Sequence, residues 1–195
     1  MDTNKGEEGF TLIEMVVVIA IIGILSAVLL PNAFKQIQKS RVARTAEDLH
    51  TLKTAWLQLY ADVGRFPTDS EYGGQNPEII NTDIYKPVVF TEEEGWDGPY
   101  YEGSGRCPLA SNTSNTSSLN KKFYLYDNDG DVFDYNSINS SAGVNVLFFS
   151  TNNGDRRKIM EQLDRMLDGG DGIDRGTFRA RFSDGACEYL ISAND

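Results

Sequence analysis

Glu14 is the one ionisable side chain in the run FTLIEMVVVIAIIGILSAVLL at residues 10–30. A charge inside a membrane-length apolar helix costs about 2.5–3.5 kcal/mol on insertion scales unless something pairs with it. The chemistry it invites is therefore charge pairing in a low-dielectric medium. The competing reading places Glu14 close enough to the membrane surface to reach water. Its helical neighbour at i−4 is Phe10.

Two acidic loops and two cysteines are the remaining candidates. Asp127-Asn128-Asp129-Gly130-Asp131 is oxygen-rich in the way calcium favours. Its glycine falls at the fourth position rather than the sixth, and the twelfth is Ile138 rather than Glu, so a hairpin turn explains it with fewer assumptions. The second loop holds Asp168, Asp171 and Asp174 among glycines, which supply positive φ while the acids start turns or cap the next strand. Cys107 and Cys187 have no CxxC spacing. In an oxidising compartment they would pair, pinning a loop to the last strand for roughly 4.5 kcal/mol on the loop-entropy view. His50 is the only histidine, with no Ser/His/Asp or Cys/His constellation and no phosphate loop after a strand. No catalytic activity is expected.

The elements that position these residues follow from the pattern. At about 1.5 Å per residue the 10–30 run spans roughly 31 Å, matching a hydrocarbon core of about 30 Å. The polar leader 1–9 precedes it directly, unlike a secretory signal, whose cleavage site follows its apolar stretch. Cutting after Gly9 would leave the helix in the mature chain as an anchor. Pro31 should loosen or kink the helix. Phe34, Ile37, Val42, Leu49, Leu52, Trp56, Tyr60 and Val63 then continue at helical spacing to Gly64 and Pro67. Trp56 and Tyr60 read as core packing, and His50 as a residue of the helix surface.

The rest forms one head, with strands expected at 122–126, 131–135, 144–149, 177–182 and 187–191 and a short helix at 155–167 ended by Gly169-Gly170. SNTSNTSS at 111–118 is a polar surface loop. Of the net charge of −11, residues 45–195 carry −12 while residues 35–44 carry +4. So acidic a head excludes general phosphate-backbone binding.

Gly9-Phe10-Thr11-Leu12-Ile13-Glu14, the apolar run, Gly23 and Pro31 resemble the N-terminal motif of type IV pilins and type II secretion pseudopilins. The resemblance implies an α+β, pilin-like fold: cleaved leader 1–9, transmembrane helix 10–30, helical continuation 31–63, and a head at 64–195 with an antiparallel sheet packed on the long helix. It implies that a prepilin peptidase cuts between Gly9 and Phe10 and methylates the new amine, and that Glu14 of an incoming subunit pairs with the Phe10 amine of a neighbour. A homo-oligomeric filament, an inner-membrane assembly platform and a periplasmic head belong to the same implication. Leaders of this kind carry a basic residue before the cleaved glycine, whereas Glu7 and Glu8 follow Lys5-Gly6 here, so cleavage after Gly6 is an alternative. Lys35, Lys39, Arg41 and Arg44 conflict with a periplasmic head by the positive-inside rule, and the resemblance is preferred over that rule.

Residues 60–68 and 95–100 are similar to segments of major pseudopilins, and the Asp168, Asp171, Asp174 loop resembles their calcium loop in character, though not residue by residue. Structural calcium on those three acids is the one cofactor expected. The extra helix, the two cysteines and the 111–118 insertion lean toward a pilus subunit. A type II secretion pseudopilin is the alternative, and a membrane-tethered binding protein that never polymerises is the third reading.

Overall fold

The computed structural model describes residues 10–67, 71, 79–109, 122–127, 143–149, 155–181 and 185–193. The leader, the 111–118 loop, the tip of the first acidic turn and the strand expected at 131–135 lie outside the described residues. The rest is an α+β fold, with the long helix α1 (Leu12–Val63), β1 (Tyr124–Asp127), β2 (Gly143–Phe149), α2 (Arg156–Leu167), β3 (Phe178–Ala180) and β4 (Ala186–Ala193). Both helices end within a residue of where the periodicity ends.

The helical pattern runs through Pro31 without a break in α1. It stops at Val63 because Gly64 takes φ +85°, a conformation that only glycine adopts cheaply, and its N–H closes on the Tyr60 carbonyl at 2.8 Å.

The chain divides into two compact units, Met1–Ser40 and Arg41–Asp195. In the first, the most apolar 18-residue window of α1 has a mean hydropathy of 2.9 and is 0 % buried. It belongs to the one helix among the described residues that is long and apolar enough to cross a membrane. Leu12, Ile13, Ile19 and Ile24 are all well exposed, so this surface is built for a solvent other than water.

In the second unit, Val42, Thr45, Ala46, Leu49, Leu52, Ala55, Trp56 and Leu59 form a buried stripe on α1, the i, i+3, i+4 spacing of a helix with one apolar face. They share one core with Ile159, Met160 and Leu163 of α2 and with Phe178, Tyr189 and Ile191 of the sheet. Trp56 is fully buried, as expected. Tyr60 is not a core residue: it is exposed and tilts against Phe66 with ring centroids 4.7 Å apart.

The sheet is antiparallel throughout in the order β1-β2-β4-β3. β4 therefore inserts between β2 and β3. Along it Cys187, Tyr189 and Ile191 are buried while Glu188 and Leu190 are partly exposed, the two-residue alternation of a strand with one face on the core. A second support lies in the segment before the sheet. Asp83 is fully buried, and its Oδ1 accepts the backbone N–H groups of Val88, Val89 and Phe90 at 2.9, 2.8 and 2.9 Å.

Candidate functional site

Thr11 and Glu14 begin α1 as a reciprocal pair. The Thr11 backbone N–H and hydroxyl both donate to Glu14 Oε2 at 2.8 Å, and the Glu14 N–H donates back to Thr11 Oγ1 at 3.3 Å. This is a capping box, which satisfies N–H groups that the first helical turn leaves without partners. A carboxylate at this end is also favoured by the helix dipole. The first turn thus fixes Glu14 close to Phe10, at the start of the apolar helix. The Thr-x-x-Glu spacing is the sequence signal for this cap, and reading Glu14 only as an embedded charge passed over it.

A second constellation lies at the far end of α2. Asp164, Asp168 and Asp171 each offer a carboxylate oxygen, and these oxygens lie within 4.8 Å of one another. Asp164 and Asp168 are one turn apart on the same helix face. Gly169 and Gly170, at φ +87° and +83°, then turn the chain back so that Asp171 returns to them. Asp164 Oδ2 accepts the Gly172 N–H at 3.3 Å, and Asp168 Oδ2 accepts the Phe178 N–H at 2.9 Å. A side chain at Gly176 would collide with the carboxylates of Asp168 and Asp171. Burial first, and then the neighbouring Asp168 charge, push the Asp164 carboxyl above its ordinary range.

Of the three acids singled out in the sequence, Asp168 and Asp171 stand together with Asp164, and the exposed Asp174 is outside that group. Asp164 lies four residues before Asp168 inside a helix, where its acidity reads as ordinary surface.

The profile of the Prokaryotic N-terminal methylation motif matches residues 4–30, which contain both halves of the Thr11–Glu14 cap. Relatives include the Type IV major pilin protein PilA of Myxococcus xanthus, 36% identical over 83 residues, which are 43% of this chain and 38% of that protein. The Type IV major alpha-pilin of Moraxella bovis is 42% identical over 76 residues, 39% of this chain and 47% of that one. Fimbrial protein EcpB of Eikenella corrodens is 33% identical over 103 residues, 49% of this chain and 65% of that protein. The chain thus carries this N-terminal motif and is similar to type IV pilins over part of its length.

The matches span less than two thirds of these pilin relatives. No solved structure matches the chain.

In the head Cys107 and Cys187 are both buried, and the disulfide expected between them from the sequence is not formed. Cys107 follows Arg106, which bridges Lys122 just ahead of the edge strand β1, whereas Cys187 lies on the interior strand β4 with β2 between it and β1. Cys187 Sγ faces the Gly185 carbonyl at 3.6 Å. His50 is an exposed residue of α1, as expected, and its Nδ1 stands 3.4 Å from the Tyr189 hydroxyl.

Proposed function

We infer that the chain is a structural subunit of a type IV filament, drawn from the membrane after its leader is removed. The observation that carries this reading is the helix itself. Its most apolar window is 0 % buried among the described residues, and its one acid is held by Thr11, next to Phe10 in the chain. Lipid covers such a surface before assembly, and the equivalent helices of neighbours cover it afterwards.

A prepilin peptidase cuts after Gly9 and methylates the Phe10 amine, and an assembly platform in the inner membrane takes up the product with its head on the periplasmic side. Glu14 of the incoming subunit meets the Phe10 amine of its neighbour, so two charges leave the apolar phase in one contact. Pairing of that kind fixes register because every other register leaves a charge uncompensated. The role is structural and assigns no bond-making step to any residue.

The intact mass of the chain extracted from its native membrane tests the processing: a chain beginning at N-methylated Phe10 is expected. A chain beginning at Met1 or Glu7 contradicts it. A reporter active only outside the cytoplasm, fused after Asp195, tests orientation, and a silent reporter on an inserted chain rejects a periplasmic head.

The pseudopilin of type II secretion is the second reading, favoured by the 95–100 segment. There Trp96 Nε1 donates to the Asp83 carbonyl at 2.7 Å and the Asp97 N–H donates to the Tyr100 hydroxyl at 2.9 Å, so the aromatic turn whose sequence is similar to that of pseudopilins is a built support of this head.

A further inference from the structure

Lys35 and Lys39 stand one turn apart on one face of α1. Both are exposed, and no ion pair reaches either among the described residues. Like charges at this spacing repel and weaken a helix, a cost that an anion lying between them removes. The neighbouring chain supplies none: no acid occurs between Glu14 and Glu47. Phe34 and Ile37 are exposed as well, so the same stretch of helix presents two cations and two large apolar side chains. Its height above the apolar run limits what can cover it. At about 1.5 Å per residue, Phe34 and Lys35 lie roughly 6 and 7.5 Å past Leu30, and Lys39 about 13.5 Å past it. The headgroup layer on each side of a hydrocarbon core is about 5–7.5 Å thick, and long lysine stems bend back to reach it.

We propose that Lys35 and Lys39 form a docking site for the phosphodiester headgroup of an anionic lipid, a site that rests on the reading of residues 10–30 as a membrane anchor. The two ammonium groups hold the phosphate from one face of α1. Phe34 and Ile37, three residues apart on another face, keep this turn at the boundary between headgroups and acyl chains. Charge complementarity alone would admit any acidic partner. The apolar pair decides between them, because a headgroup layer at this height answers both the cations and the two exposed apolar side chains. Residues 45–195 carry −12, a charge that an anionic leaflet repels. Lysines bound to lipid phosphate at the end of the anchor offset that repulsion before the subunit leaves the membrane.

The test reconstitutes the full chain in phosphatidylcholine vesicles with a trace of either spin-labelled phosphatidylglycerol or spin-labelled phosphatidylcholine. The motionally restricted part of each spectrum gives the relative association of the two lipids with the protein. At low salt phosphatidylglycerol is expected to associate more strongly, by about fivefold for each lysine that meets it, and about 1 M salt should remove most of the preference. Replacing both lysines, Lys35→Gln with Lys39→Gln, should bring the ratio close to one, while Lys35→Arg with Lys39→Arg should keep it. Lys53→Gln, in the head, should also keep it. Equal association of the two lipids with the inserted parent chain overturns the proposal. So does a double glutamine variant that retains the parent's ratio, which would put the lipid elsewhere. Equal association together with carbodiimide crosslinks from Lys35 or Lys39 to a second copy would assign the lysines to an acidic protein partner instead. A chain that alkaline extraction strips from the vesicles would reject the anchor reading and the site together, whereas an inserted chain without lipid preference rejects the site alone.

Discussion

Glu14 Oε2 takes two hydrogen bonds from Thr11, one from the backbone and one from the hydroxyl, both at 2.8 Å. The carboxylate that would be the most expensive group in the membrane helix is also the group that starts that helix. The cap directs Glu14 to the end of α1, one turn from Phe10, where an amine created by cleavage would lie. The side chain that caps α1 is thus the same one on which the proposed pairing between subunits depends.

Thr11→Ala removes the hydroxyl that donates to Glu14 and accepts from its N–H. A lost cap of this kind costs about 1 kcal/mol. Amide exchange over the first turn of α1 should speed up several-fold in the micelle-bound chain, while Thr11→Ser, which keeps the hydroxyl, should match the parent. Equal exchange in the parent and the alanine variant would show that the cap does not hold the turn.

Asp83→Ala would strand the N–H groups of Val88, Val89 and Phe90 beside a fully buried site. Each buried donor left without an acceptor costs about 1–3 kcal/mol, so the head should lose about 3 kcal/mol or more in urea unfolding. Asp83→Asn retains an oxygen acceptor and should lose much less. A loss below about 1 kcal/mol in the alanine variant would contradict the keystone role.

Burial pushes the Glu188 carboxyl up from 4.5 to about 7, and Arg179 across the sheet only partly opposes the rise. The folded state holds this proton more tightly than the unfolded chain does. Its contribution is therefore complete below pH 4.5 and fades as pH climbs to about 7, amounting to at most about 3 kcal/mol. Glu188→Gln should flatten that part of the stability profile and be more stable than the parent at pH 8. A parent whose stability is level from pH 4.5 to 7.5 would contradict the burial argument.

The ends of the helices were legible in the sequence because they depend on neighbours along the chain. Gly64 ends α1, and the glycines after Leu167 end α2, by the same backbone rule that allows them to be predicted. Four of the five expected strands appear in place, and the fifth lies outside the described residues. Two kinds of fact were not legible. Asp164 joins Asp168 and Asp171 only once two positive-φ glycines have turned the chain back. The sheet order, in which β4 inserts between β2 and β3, is the other. Both depend on which segments meet in space, and spacing along the chain does not encode that. Tyr60 follows the helical spacing of the core stripe yet is exposed and packs on Phe66.

Glu14 is the group proposed to admit a subunit to the filament. Glu14→Ala, expressed in the native host in place of the parent, should leave the chain processed and inserted in the inner membrane while surface filaments fall to a small fraction of the parent level. Filaments counted by electron microscopy, beside the amount of chain in the membrane fraction, separate assembly from insertion. Parent-level filaments built from the alanine variant would contradict the pairing mechanism outright.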